Sequence, residues 1–302
     1  MSSSLAGQAR IDCNGDRSSK VESRIVIPVV VGSNPIGHPK FPAPQKWRAP
    51  QLDPQSTPSS LFAAVEEAAL AQIAANRTGV LRSRDPEYLH QLRVGLRRLR
   101  SALRAFEDLL PKKQAKLHAR RIRCVMREIG EARDWDVFVA WLEKEQAPRE
   151  VVRAARRECA RARAAARRSA FRLSLNAIRP RNSGDPIAQF AGAVLEKLER
   201  KLRKQAGRMH WGDADERHVL RIRVKRLRYA SEFFGRTHGE LERLQDVLGA
   251  LNDAQVARRL LRRLSVRNPN LDQALEARER RLLRVLDKMK TSSLGQVSGR
   301  RG

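Results

Sequence analysis

Hydrophobic residues recur at three- and four-residue spacing along most of this 302-residue chain. That is the period of an α-helix buried on one side. From Ser59 onward no convincing run shows the alternation of a half-buried strand, and alanine, leucine, arginine and glutamate are abundant. The spacing predicts helices over 59–76, 86–109, 112–130, 134–146 and 149–176. A break follows at Arg179-Pro180-Arg181-Asn182-Ser183-Gly184, and helices resume over 186–207, 214–235, 239–250, 253–265 and 270–289. Asp85-Pro86 and Asp185-Pro186 each read as an N-cap acid followed by proline in the first helical position. Asn268-Pro269 is a weaker start signal of the same kind. Short connections between helices predict antiparallel neighbours and hence helical bundles. The ordered part is expected to span 58–292, in two halves at 58–179 and 185–292. Residues 1–57, dominated by serine, glycine and proline, are expected to be a disordered extension, and residues 293–302 a disordered tail.

One helix carries an unusual polar face. With His90 at zero and about 100° per residue, Arg93, Arg97, Arg100 and Arg104 fall within roughly 80° of His90. Leu92, Leu96, Leu99, Leu103 and Phe106 fall on the opposite face. The pattern returns in the second half with His218, Arg221, Lys225 and Arg228, where Glu232 replaces the counterpart of Arg104. A matched segment follows each ladder. The first is Ile129-Gly130-Glu131-Ala132-Arg133-Asp134-Trp135-Asp136-Val137, and the second is Leu248-Gly249-Ala250-Leu251-Asn252-Asp253-Ala254-Gln255-Val256. Two copies of one supersecondary unit predict packing about a pseudo-two-fold axis. The expected fold class is all-α, with two antiparallel helical bundles related by internal pseudo-two-fold symmetry.

Charge sharpens the reading of the ladders. Like charges at three- and four-residue spacing cost a few tenths of a kcal/mol per pair, so a face selected for stability would interleave glutamates. The formal net charge is +29 and the sequence pI about 11.4. Little of that excess lies in the first 57 residues. Such a balance calls for a polyanionic partner. Most of the 62 basic residues are arginine, whose planar fork matches phosphate oxygens. The ladders therefore read as a surface for a repeating anion. Arg98, Arg226 and Tyr229 join the candidate set, and the stripe Arg120, Arg123 and Arg127 is a further basic surface.

Other chemistry is thinly represented. Cys13, Cys124 and Cys159 have no paired spacing, and neither His90 nor His218 has a partner at metal-ligand spacing. No metal and no cofactor is expected. Asp134 and Asp253 read either as helix N-caps or as carboxylates that orient ladder arginines. Asp136 has no acidic match, because Gln255 stands at its place. The apolar run Ile25-Val26-Ile27-Pro28-Val29-Val30-Val31 is too short to span a membrane and lacks a cleavage site, so no membrane association and a cytoplasmic protein are expected.

The ladders, the matched Gly-to-Asp segments and the repeat together resemble the CHAD family, the conserved histidine α-helical domain. The resemblance covers roughly residues 59–290 and is most specific at His90–Arg100, His218–Tyr229 and Leu244–Asp253. It implies two helical bundles with a basic groove or pore at their junction. It also implies binding of inorganic polyphosphate and, in some members, residence on polyphosphate granules. The family's basic-motif roles would fall on His90, Arg93, Arg97 and Arg100, and on His218, Arg221, Lys225 and Arg228. Many members carry a triphosphate-tunnel domain in front. The first 57 residues lack the alternating Glu-x-Glu-x-Lys strand it needs, so its triphosphatase activity is not carried over. Gly95 stands where the family has a bulkier residue, which implies either close helix approach or a weaker helix.

The leading expectation is a non-catalytic polyphosphate-binding module. A basic nucleic-acid-binding protein is the first alternative, although aromatic residues make up only 5% of the chain and do not alternate with the basic ones. The second is a metal-dependent phosphohydrolase or phosphotransferase using His90 or His218. It would need a carboxylate cluster or a nucleotide-cradling glycine loop, and neither motif is present in the sequence.

Overall fold

A computed structural model describes residues 42–50, 55–236 and 239–299, with side chains to residue 289. All of them lie in one compact unit, Lys40–Gly302. Among the described residues there are eight α-helices and no strand. They are α1 (Pro58–Arg82), α2 (Pro86–Ala105), α3 (Lys112–Lys144) and α4 (Arg149–Arg172), then α5 (Ile187–Ala206), α6 (Ala214–Phe233), α7 (Gly239–Arg263) and α8 (Pro269–Gly299).

Local chemistry starts several of these helices where expected. Thr57 and Ser60 form a reciprocal capping box at α1. The Asp85 carboxylate accepts the Glu87 amide at 2.8 Å, with Pro86 in the first turn of α2. Asp213 does the same for α6, accepting from Asp215 and Glu216 at 2.7 and 3.2 Å. His90 and His218 therefore sit at the same offset from their caps. Asn268 accepts the Leu271 amide at 3.2 Å at the start of α8. Asp185 does not cap α5. The helix starts one residue later, at Ile187, and Asp185 accepts the Ser183 hydroxyl instead.

Packing follows the halves of the sequence. α1 lies against α2 and α4, α2 against α3, and α3 against α4. Helices α5 to α8 repeat that order of neighbours, and the two sets meet along α2–α6 and α3–α7. The leucine face of α2 is the one buried: Leu92, Leu96 and Leu99 are fully inaccessible. Burying each stabilises the fold by about 2 kcal/mol. Phe106 and Phe234, which end α2 and α6, meet at 5.7 Å, and Phe106 also meets Phe62 at a tilt and stacks on Phe190, each at 5.5 Å. The two halves thus share one core. Gly95 takes the first of its two expected roles: a Cβ there would meet Ile73 at 3.0 Å, so its absence lets α1 approach α2.

Several boundary expectations are corrected, beginning with α1, which runs to Arg82 and not to 76. The segments 112–130 and 134–146 form the single helix α3, and 239–250 and 253–265 form α7. An interior glycine costs a helix only about 1 kcal/mol, and no proline follows Gly130 or Gly249 to stop it. Asp134 and Asp253 are therefore mid-helix residues and not N-caps. Residues 42–50, expected within the disordered extension, lie on the bundle, because buried Tyr88 and Asn76 donate to their carbonyls. α8 continues to Gly299, past the expected helix end at 289 and into the expected tail at 293–302. The expectations for residues 1–41, 51–54 and 300–302 lie outside the described residues.

The link between the halves is strapped to α1. Ser59 donates to the Arg181 carbonyl at 2.8 Å, and the buried Glu66 carboxylate accepts the Ile178 amide at 2.9 Å. Burial pushes the Glu66 carboxyl up to about 7, against the lowering effect of that amide. A folded-state value above the unfolded one means stability fully present below about 4.5 and lost as pH rises through about 7. Glu66→Gln, which stays neutral, is expected to flatten that loss. Thermal unfolding midpoints between pH 4 and 8 measure it, and parallel curves for variant and wild type would contradict it.

Candidate polyanion-binding site

The polar faces of α2 and α6 turn toward each other where the halves meet, with α3 and α7 closing the sides. Two cavities occupy this junction. The inner one, about 170 Å³, is lined by Arg93 and Arg97 of α2, Arg133 and Asp134 of α3, Arg221 of α6 and Asp253 of α7. The outer and larger one, about 630 Å³, adds Lys225, Arg228 and Tyr229 of α6 and Gln245 and Gly249 of α7. His90, Arg97, Asp253 and Arg278 line both, so the two cavities adjoin.

The inner cavity holds five arginines against two aspartates. Neutralisation is incomplete in geometry as well as in number. Arg93 reaches Asp134 only at 3.8 Å, and Arg259 reaches it at 3.6 Å. Arg97, Arg221 and Lys225 make no hydrogen bond or ion pair among the described residues, and the Nε atoms of Arg93, Arg97 and Arg221 are buried without a partner. Two cations about 6 Å apart at an effective dielectric of about 20 repel by roughly 3 kcal/mol. Exposed helix pairs contribute only about 0.3–0.5 kcal/mol. A solvated stability face does not explain such a cluster, whereas an anion would relieve it.

Electrostatics records the same strain. Burial, with Arg97, Arg221 and Arg93 nearby, pushes the Lys225 ammonium down to about 6. Burial and Arg97 bring Arg93 to about 10. Arg221 is lowered, chiefly by burial, although Asp253 opposes that shift. His90 is lowered by burial and by Arg133. Burial raises the Asp134 carboxyl, while Arg93 and Arg259 pull it back.

The sequence-selected residues divide into groups. His90, Arg93, Arg97, Arg221 and Lys225 come together in the cavities. Arg98, Arg228 and Tyr229 line the outer cavity but are already engaged. Arg98 donates to Glu232 at 2.6 Å and lies over Tyr229 at 5.3 Å, while Arg228 donates to Gln245 at 2.9 Å and covers Tyr229 at 4.7 Å. Arg100, Arg104 and Arg226 lie outside both cavities; burial and then Arg104 lower Arg100, and burial, then Arg104 and Arg100, bring Arg226 to about 10. Arg123 joins that second group through Arg100, whereas Arg120 and Arg127 are exposed on α3, with Arg127 paired to Glu128. His218 stands exposed outside both cavities, its Nδ1 3.0 Å from Asn252 Oδ1. Its helix face matches that of His90, but the residues lining the cavities are not symmetric.

A family model for the CHAD domain matches residues 64–262, more than half of the chain. The chain belongs to the CHAD domain family. The crystal structure of the CHAD domain from the plant Ricinus communis is similar at a TM-score of 0.57 and 31% identity, covering 84% of this chain and 95% of that one. PptA from Streptomyces chartreusis is similar at a TM-score of 0.59 and 13% identity, covering 80% of this chain and 99% of that one. At that identity the likeness shows the fold alone. No curated protein gives a significant match.

Sequence reasoning missed several residues of this CHAD domain's site. Arg133 lies in the matched segment beside Asp134, and that position was the available signal. Arg278 of α8 and Lys46 and Trp47 ahead of α1 carry no repeat or ladder signal. Gly249 lines the outer cavity, where a Cβ would enter open space, so its lack of a side chain leaves room for a ligand. Among the described residues no three His, Cys, Asp or Glu side chains gather as a metal site, and no helix is long and apolar enough to cross a membrane.

Proposed function

We propose that this CHAD domain binds inorganic polyphosphate, without turning it over, in the adjoining cavities between α2, α3, α6 and α7. The observation that carries the reading is the trio Arg97, Arg221 and Lys225, gathered from two helices with no ion-pair partner among the described residues. A chain of phosphates supplies a negative charge at every unit, and guanidinium forks donate to its oxygens in pairs. The association of the family with polyphosphate supports the same choice.

The aromatic groups argue against single-stranded nucleic acid. Such ligands stack bases on open aromatic faces. Tyr229 is buried, and Arg98 and Arg228 lie over its ring; Trp47 has Arg98 over its ring at 4.8 Å. Polyphosphate has no bases to stack and needs no such platform.

Competition tests the reading. Labelled long-chain polyphosphate bound to the protein should resist displacement by duplex DNA at equal phosphate concentration. Displacement by the DNA would sink the proposal. Incubation with polyphosphate and magnesium or manganese should release no phosphate, and release would overturn the non-catalytic part. In a cell that accumulates polyphosphate, a fluorescent fusion should collect on the granules.

A further inference from the structure

Residues 42–50 form an arm ahead of α1, outside the stretch matched by the family model. Buried side chains of the bundle hold it. The Tyr88 hydroxyl donates to the Pro42 carbonyl at 2.7 Å, and the Asn76 amide donates to the Gln45 carbonyl at 2.9 Å. Asn76 also donates to the Gln72 carbonyl at 2.8 Å, but the buried Tyr88 hydroxyl would lose its acceptor at a cost of about 1–3 kcal/mol, so the arm completes hydrogen bonding that the bundle requires. Trp47 anchors the next point. Its ring meets Phe233 of α6 edge-on at 6.3 Å, and the Arg98 guanidinium lies over it at 4.8 Å. Glu232 fixes that guanidinium at 2.6 Å. The arm is thereby fastened to α1, α2 and α6 at once.

This anchoring places Lys46 and Trp47 in the wall of the outer cavity, together with Arg97 and Lys225. Lys46 is exposed and makes no hydrogen bond or ion pair among the described residues. Arg48, two residues on, is also exposed but does not line the cavity.

We propose that the arm is a working wall of the anion site, in which Lys46 supplies an ammonium to bound phosphate and Trp47, clamped by Arg98, positions it. This rests on the polyphosphate reading. It makes affinity depend on a segment outside the family's matched domain. Lys46 acts by direct contact, and Trp47 is a positioning residue that acts through Lys46.

The test uses the full chain and polyphosphate titrations over a range of salt. Lys46→Ala should weaken binding about tenfold, the size of one charge-assisted hydrogen bond. It should also lower the slope of log affinity against log salt by about one, by analogy with counterion release on DNA. Lys46→Glu should weaken binding further, and Arg48→Ala should leave it within about twofold, as a screened charge outside the contact would. Trp47→Ala should match Lys46→Ala, and the double variant should add little, because coupled residues are not additive. Thermal midpoints show whether Trp47→Ala folds, and the exposed Lys46 decides the matter even if it does not. Wild-type binding by Lys46→Ala, or an equal loss in Arg48→Ala, overturns the arm's role; a loss in Arg97→Ala in the same series leaves the polyphosphate reading standing. No binding by the wild-type chain removes both.

Discussion

An Arg97→Ala, Arg221→Ala double variant is expected to lose polyphosphate affinity by about three orders of magnitude and to unfold no earlier than the wild type. Each arginine would contribute charge-assisted hydrogen bonds worth about 1.5–3 kcal/mol, and about 1.4 kcal/mol is a tenfold change. The slope of log affinity against log salt should fall by about two. The stability half of the expectation separates function from structure. Arg97 and Arg221 make no ion pair among the described residues, and each lowers the charge tolerance of Lys225. Removing them relieves repulsion without breaking a bond. Isothermal titration and thermal unfolding on the same samples measure both halves. A folded double variant that binds as the wild type does would place the ligand elsewhere. A large drop in midpoint would make the pair structural.

Polyphosphate affinity is expected to fall as pH rises above about 6, with Lys225 responsible for the slope. Burial, then Arg97, Arg221 and Arg93, hold the free Lys225 ammonium down at about 6. A bound polyanion favours the charged form and raises that value. Binding therefore takes up a proton in the window between about 6 and the raised value. Affinity is highest below the window and falls through it by up to about tenfold per pH unit, the limit for one proton. His90, also lowered by burial, acts in the same direction. Lys225→Arg keeps a cation that does not titrate, so it should bind with a flattened pH profile. Lys225→Met should lose both the slope and much of the affinity. Calorimetry in buffers of different ionisation enthalpy counts the proton directly. A flat wild-type profile from pH 5.5 to 9, or an unchanged slope in Lys225→Arg, would exclude this linkage.

Much of the candidate site was legible along the chain because its signals are periodic. The leucine stripe of α2 and the ladder opposite it follow from 3.6 residues per turn, and the structure buries the first and turns His90, Arg93 and Arg97 toward the junction. The repeat located Arg221 and Lys225 by analogy. Helix ends were read less well. The expected breaks after 130 and 250 are absent: α3 and α7 run through them, since neighbouring helices bury faces that extend past both points. Asp134 consequently faces Arg93 and Arg259 instead of capping a helix.

The sequence by itself determined that the chain is helical, that it is repeated, and that one face of each repeat is cationic. Those properties follow from side-chain spacing, which one helix sets alone. Tertiary structure decided which cations share a site. Arg100, Arg104 and Arg226 leave the central cavities and His218 stays at the surface, although their helix faces match those of the residues that remain. Only packing determines what a given point on a helix meets. For the same reason Arg278 and Lys46, distant in sequence and unmarked by any period, line the cavity with Arg97. The charge cluster exists because two helices that each tolerate their own ladder are pressed together by a shared core, which holds their cations closer than either helix would alone.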